Sequence, residues 1–196
     1  EGDFARGYDA VARGQSSYFV WLNRSKESLT LDLKSEVGQR ILRELLADAD
    51  VFIQNLGPGA VRRMGLGADD LEASHPGLIV CEITGYGEGP WQSRKAYDLL
   101  VQAEAGLIAV SGTEDEAAKA GISVADIAAG TFAYSGILAS LYTRATTGRA
   151  PAVSVSLFEA LAEWMGSPMY YSRYGGTAPR RTGARHATIA PYGPFT

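Results

Sequence analysis

A short apolar run, a glycine turn and a new helix follow one another at Asp50-Val51-Phe52-Ile53-Gln54-Asn55, Leu56-Gly57-Pro58-Gly59 and Ala60–Met64. This order constrains the fold more than any other feature. Strand, tight turn and helix in sequence are the grammar of a doubly wound α/β unit, a parallel sheet with flanking helices. The pattern continues on both sides. Before it, Leu29, Leu31 and Leu33 alternate with polar residues, which predicts a strand over 28–33. Ser35 then stands where a cap belongs, ahead of Val37, Ile41, Leu45 and Leu46 at helical spacing, with the helix ending near Asp48. After it come a helix over about 69–74, an apolar strand over 78–83, and a turn-rich loop from Gly85 to Pro90.

The second half is helical in character. Leu99, Leu100, Ala103, Leu107 and Val110 give one side to a helix over 97–110, and a polar loop runs from Gly112 to Gly121. The longest helical pattern spans Asp126 to about Thr146, with Gly148 just past its end. Ala125, Ala128, Ala129, Gly130 and Ala133 would let another backbone approach it closely. A strand at 153–157 and a helix over 158–165 follow. The stretch from Tyr170 to Gly183 is aromatic and glycine-rich, with no means of forming its own core. The expected organisation is a Rossmann-like large domain over 1–150, then a strand, helix and linker over 151–196 leading toward a second small domain.

Composition narrows the function. The chain has 196 residues, 46% hydrophobic and 20% charged, with a formal net charge of −4. That balance argues against a nucleic-acid partner but leaves room for local Arg and Lys clusters that meet a small anion. The single cysteine, Cys81, sits in the apolar run 78–81 and reads as a buried small hydrophobe, and two histidines do not make a structural zinc site. No apolar stretch reads as long enough to span a bilayer, and no signal peptide opens the chain, so a cytoplasmic location is expected. Glu1-Gly2-Asp3 is not an initiator sequence and the chain stops just after Pro194-Phe195, so both ends read as cut from a longer protein.

Asp126 is the residue most capable of chemistry. As an N-cap it would satisfy free N–H groups, a role worth about 1 kcal/mol. As a nucleophile it would use the same geometry, since the helix N-terminus keeps a carboxylate ionised and an ionised carboxylate attacks activated acyl groups. Arg62 and Arg63, on the first turn after Gly59, oppose the helix dipole, which hints that one of them meets an anion. Arg94, Lys95, Tyr97 and Asp98 follow the Gly85–Gly89 loop. His75 and His186 are too isolated for a metal site. Arg181, Arg185 and His186 crowd one glycine-bearing stretch, which faces either an anionic partner or solvent.

Taken together, these pieces resemble the family III CoA-transferases, the group of formyl-CoA transferase and 2-methylacyl-CoA racemase. The resemblance rests on Leu22-Asn23-Arg24-Ser25-Lys26, Leu31-Asp32-Leu33-Lys34, Asp50 through Gly59, Met64-Gly65-Leu66-Gly67, Gly85-Tyr86-Gly87, Ala96-Tyr97-Asp98-Leu99, Ser123-Val124-Ala125-Asp126, Thr147-Gly148-Arg149 and Ile189-Ala190-Pro191-Tyr192-Gly193. It covers essentially the whole chain in order. It implies that Asp126 is the nucleophile, taking an acyl group from acyl-CoA as a mixed anhydride and then carrying CoA as an aspartyl thioester for an acceptor carboxylate. It also implies that CoA lies against Leu33, Lys34, Asn55, Ala60, Arg63, Lys95 and Tyr97. CoA would come as substrate, with no permanently bound cofactor, and the protein would be an intertwined homodimer.

Two departures bear on activity. Leu56 stands where many relatives have an aromatic residue, which weakens adenine stacking. Tyr97 stands where the racemase branch has a histidine, and a phenol with a pKa near 10 is a poor base at neutral pH. That favours CoA transfer over racemisation by α-proton exchange, with a non-catalytic CoA-binding role as a third reading. The segments 163–165, 170–176 and 183–189 look most like the branch acting on C4–C5 dicarboxylic acids. Arg185 and His186 are then candidates to meet a distal carboxylate.

Overall fold

The computed structural model describes residues 2–195. The chain divides into two compact units, residues 1–45 and 46–196. In the first, a 3-10 turn at Phe4–Gly7 precedes α1 (Ser17–Leu22). The Asp9 carboxylate accepts from Ser17 Oγ at 2.7 Å, from Ser17 N at 2.9 Å and from Val11 N at 3.0 Å. These donors hold its carboxyl below the usual carboxylate range, the Ser17 hydroxyl first among them. The strand expected over 28–33 is absent: among the described residues the segment pairs with no other strand, and Leu29 is exposed. Alternation of apolar residues permits a strand, but only hydrogen bonds to a neighbour make one. Helix α2 (Glu36–Ala47) begins at Ser35, whose Oγ accepts from Gly38 N at 3.0 Å.

The second unit is built on three parallel strands, β1 (Val51–Gln54), β2 (Ile79–Thr84) and β3 (Val153–Ser156), in the order β1-β2-β3. Register pairs Gln54 with Glu82 and Glu82 with Ser154. Between β1 and β2 lie α3 (Ala60–Arg63) and α4 (Ala68–Ser74). Between β2 and β3 lie α5 (Asp98–Glu104), α6 (Leu107–Val110) and α7 (Val124–Thr147), and β3 leads into α8 (Leu157–Trp164) and α9 (Gly166–Gly175). This is the expected parallel α/β sheet with flanking helices. β3 lies past residue 150, so the sheet spans the boundary expected at 150/151.

Burial follows the two periods of the sequence. Cys81 and Ile83, two apart on β2, meet Ala133 and Ile137, four apart on α7, with Val51, Val153 and Val155 around them. Cys81 is fully buried and burial pushes its thiol pKa up. Ala128, Ala129 and Ala160 bring α7 and α8 together, and Ala125 joins Val101 and Leu161. The alanines of α7 therefore serve helix packing, whereas Gly130 is exposed; of this set Ala129 and Gly130 reach the cleft described below.

Three expectations are corrected. The helix over 97–110 is two helices, because Gly106 adopts φ +85° and breaks the run. Arg62 and Arg63 lie on a helix of four residues, in its last turn as much as its first, so no dipole conflict arises. Helix α7, at 24 residues, is long and apolar enough by length and composition to cross a membrane. Its Ser, Thr and Gly hid that in the sequence, and its alanine face is packed on the sheet and α8. Helix α9 was not expected; it buries no residue and exposes Met169, Tyr170, Tyr171 and Tyr174.

Arg144 ties the far end of α7 to the sheet. Its guanidinium donates to Asp50 Oδ1 at 2.7 Å and to the Gly77 carbonyl at 2.7 Å. Arg144→Ala is expected to cost about 1–2 kcal/mol, since charge-assisted bonds to two loops are lost. At roughly 2–4 °C per kcal/mol for a chain of this size, a thermal melt would show Tm several degrees lower.

Candidate active site

An open cleft of about 670 Å³ lies at the carboxyl ends of the strands, where ligands of open parallel sheets bind. The turn after β1 (Asn55 to Gly59), the end of β2 with the Gly85–Glu88 turn, the segment 92–97 and the first turns of α7 line it. Arg62, Arg94 and Lys95 are its cations; Glu82, Glu88 and Asp126 are its carboxylates. Arg62 and Lys95 have no ion-pair partner among the described residues.

Asp126 is not the N-cap of α7. Ser123 takes that place, and Asp126 is the third helical residue, pointing into the cleft from the first turn. Its carboxyl is pushed above the usual carboxylate range, by burial first and by the charge of Asp98 second. The expectation that the helix end simply favours the ionised form is thereby corrected. Asp126 is exposed at the cleft surface, so the wall removes only part of the carboxylate's hydration, and a second carboxylate stands nearby.

Asp98 is fixed from two sides. Its Oδ1 accepts from Ala125 N at 2.9 Å, and its Oδ2 accepts from Gln102 Nε2 at 2.7 Å. Gln102 is fully buried, and its Oε1 accepts from Ala120 N at 2.8 Å. A chain of hydrogen bonds thus runs from the 111–120 loop through α5 to the residue preceding Asp126. Polar groups so deeply buried hold position because each lost bond leaves an unsatisfied partner.

Behind Tyr86, which lines the cleft, lies an aromatic cluster. Tyr86, Trp91 and Phe158 meet at ring-centroid distances of 5.8–5.9 Å. The Tyr86 hydroxyl donates to the Glu104 carboxylate, and burial followed by that bond pushes its pKa up. Arg94 lies 4.9 Å over the Trp91 ring and 3.8 Å from Glu104. One face of its guanidinium is held while the residue reaches the cleft.

Of the residues singled out in the sequence, the structure brings Asp126, Asn55, Lys95 and Tyr97 together in this cleft. Ala60 and Arg63 lie on α3 beside it, and Arg62 is the arginine of that pair that lines it. Leu33 and Lys34 belong to the first unit, where the Leu33 carbonyl accepts from Gln39 and Lys34 N donates to Asp32. Arg185 and His186 are not among the lining residues: the His186 ring packs on Tyr192 at 5.2 Å, and its Nδ1 accepts from Thr188 N and Ile189 N. Glu82 and Gln102 were missed. A charged residue inside the apolar run 78–83 was the available signal for Glu82; nothing local marked Gln102. Among the described residues no group of three or more potential ligands is placed to hold a metal ion.

These features define an α/β domain whose ligand cleft opens at the carboxyl ends of parallel strands, with a carboxylate at the head of its longest helix. The chain belongs to CoA-transferase family III, whose family model matches residues 1–196. It is 36% identical over 183 residues to mouse succinyl-CoA:glutarate CoA-transferase, covering 92% of this chain and 42% of that protein. It is 35% identical over 197 residues to acetyl-CoA:oxalate CoA-transferase of Acetobacter aceti, covering 99% of this chain and 51% of that one. The chain spans about half the length of the curated relatives it matches. A crystal structure of a CAIB/BAIF family protein from Brucella suis superposes with a TM-score of 0.90 at 34% identity, over 100% of this chain and 53% of the other.

Proposed function

We propose that the protein transfers coenzyme A between an acyl-CoA thioester and a carboxylic acid, with Asp126 as the nucleophile. The observation that carries the reading is Asp126 itself, set on the first turn of α7 in a cleft that also presents Arg62, Arg94 and Lys95. The Asp126 carboxylate attacks the thioester carbonyl, forming a mixed anhydride and releasing CoA thiolate. The thiolate attacks the aspartyl carbonyl of the anhydride, giving an aspartyl-CoA thioester and the free donor acid. The acceptor carboxylate attacks that thioester, forming a second anhydride and thiolate. Thiolate attack on the acceptor's carbonyl then yields the new acyl-CoA and regenerates Asp126.

Asn55, Ala60, Lys95 and Tyr97, with Arg63, Leu33 and Lys34, are proposed to contact CoA, and Arg62 joins them on the strength of its place in the cleft. The acceptor is proposed to be a C4–C5 dicarboxylic acid. The names of relatives that act on glutarate and on citramalate support that class. Arg185 and His186 remain its proposed contacts. An intertwined homodimer is part of the proposal, supported by the apolar and aromatic side chains that α9 leaves exposed.

The direct test is chemical trapping. Protein incubated with acyl-CoA and then treated with hydroxylamine or borohydride should carry a modification on the peptide containing Asp126, read by mass spectrometry. A modification elsewhere, or none during turnover, would sink the assignment. Lys95→Ala is expected to raise KM for acyl-CoA about 10-fold with kcat little changed, the loss of one charge-assisted contact.

A further inference from the structure

We propose that Glu159 is a positioning residue: its carboxylate, seated against Gly87, clamps the Gly85–Gly89 turn to the N-terminus of α8 and so fixes where Lys95 and Tyr97 stand. The inference rests on the functional reading above only for what the wall is used for.

Ser156, buried at the N-cap of α8, accepts from Glu159 N at 3.1 Å through its hydroxyl, which donates to Glu159 Oε2 at 2.6 Å. Serine with glutamate three residues on is the capping-box pair, but there the glutamate reaches back to the cap's backbone N–H. Here it bonds the serine hydroxyl instead, and the cap is already satisfied without it. The carboxylate goes to the turn. A β-carbon on Gly87 would lie 2.5 Å from Glu159 Oε1 and 2.6 Å from its Cδ and Oε2, so a side chain there would push the carboxylate out of this contact.

Two further contacts carry the restraint onward. Phe158 N, next to Glu159, donates to the Gly85 carbonyl at 3.1 Å, and the Phe158 ring packs on Tyr86 and Trp91. A β-carbon on Gly85 would overlap Cβ of Ala96. Ala96 lies between Lys95 and Tyr97, and all three line the cleft. The start of α8, the glycine turn and the substrate-facing segment are thus in direct contact, and the exposed Glu159 side chain, held by its bond to Ser156, closes the stack at its α8 end.

The test compares Glu159→Ala, Glu159→Gln, Gly87→Ala and the Gly87→Ala/Glu159→Ala double variant with the unmodified protein. Glu159→Ala and Gly87→Ala are each expected to raise KM for acyl-CoA and Kd for CoA about 10-fold, with kcat within about 3-fold, as misplaced binding groups do. The double variant should be no worse than either single one, because removing the carboxylate also removes the group that the added methyl would strike. Glu159→Gln should restore near-normal KM, since the amide oxygen accepts from Ser156 and keeps the shape. Amide hydrogen exchange over residues 85–97 should rise in both alanine variants without any ligand.

Unchanged exchange in Glu159→Ala, or KM effects that multiply in the double variant, would overturn the clamp. Failure of the unmodified protein to bind CoA would overturn the functional reading instead. The exchange measurement would still decide the clamp.

Discussion

Asp126→Asn is expected to lower kcat for CoA transfer by about 10⁴-fold or more, the scale of losing a covalent nucleophile. CoA affinity should stay within a few-fold of the unmodified protein, because asparagine keeps the volume and the contacts proposed for Arg62 and Lys95 are untouched. Stability makes the result interpretable. Burial and Asp98 raise the Asp126 carboxyl pKa in the folded chain above its unfolded value. A group shifted in that direction contributes stability below the unfolded carboxylate range, and that contribution is lost as pH rises through the folded pKa. At neutral pH the ionised carboxylate therefore burdens the fold, and the neutral amide relieves it. Tm of the variant at pH 7 should be no lower than that of the unmodified protein. An inactive variant with undiminished Tm and intact CoA binding isolates the nucleophile. Retained transfer would refute its role outright.

The elements legible in the sequence are those whose signal is local. β1 and β2 were readable because each is an apolar run bounded by turn residues, β3 because Val153 and Val155 alternate with serines, and α7 because its pattern is long and Gly148 ends it. The segment 28–33 carries the same alternation as a strand, yet among the described residues it pairs with none, and a pairing partner is not a property of the segment. Asp126 was legible as a residue at a helix start but not in its protonation. Its raised pKa comes first from partial burial in a wall assembled out of several chain segments and second from Asp98, 28 residues earlier. Gln102 shows the limit most sharply. In sequence it is one polar residue on a helix, and in the fold its two amide ends join Asp98 to Ala120, 18 residues away. Glu159 likewise reads as the second half of a capping box until Gly87 is seen beneath it.

Asp98→Asn should move the acid limb of the pH profile of kcat/KM to lower pH. A carboxylate acting as the proposed nucleophile is deprotonated, so the limb would report the Asp126 carboxyl in the free protein. Removing the neighbouring charge removes the smaller of the two causes of its shift. Burial, the larger, persists, so the limb should stop short of the ordinary carboxylate range. The variant also has a structural cost. Both oxygens of Asp98 face donors, Ala125 N and Gln102 Nε2, and an asparagine offers one acceptor and one NH₂. One donor loses its partner, or Gln102 turns over and Ala120 N loses its own, at about 1–3 kcal/mol in either case. Gln102→Leu separates the two effects. It breaks the chain to Ala120 and should lower Tm by a similar amount, but it leaves the charge of Asp98 in place, so the acid limb should stay where it is. A limb that moved equally in both variants would show that the position of α7's first turn, and not the charge beside it, sets the proton affinity of Asp126.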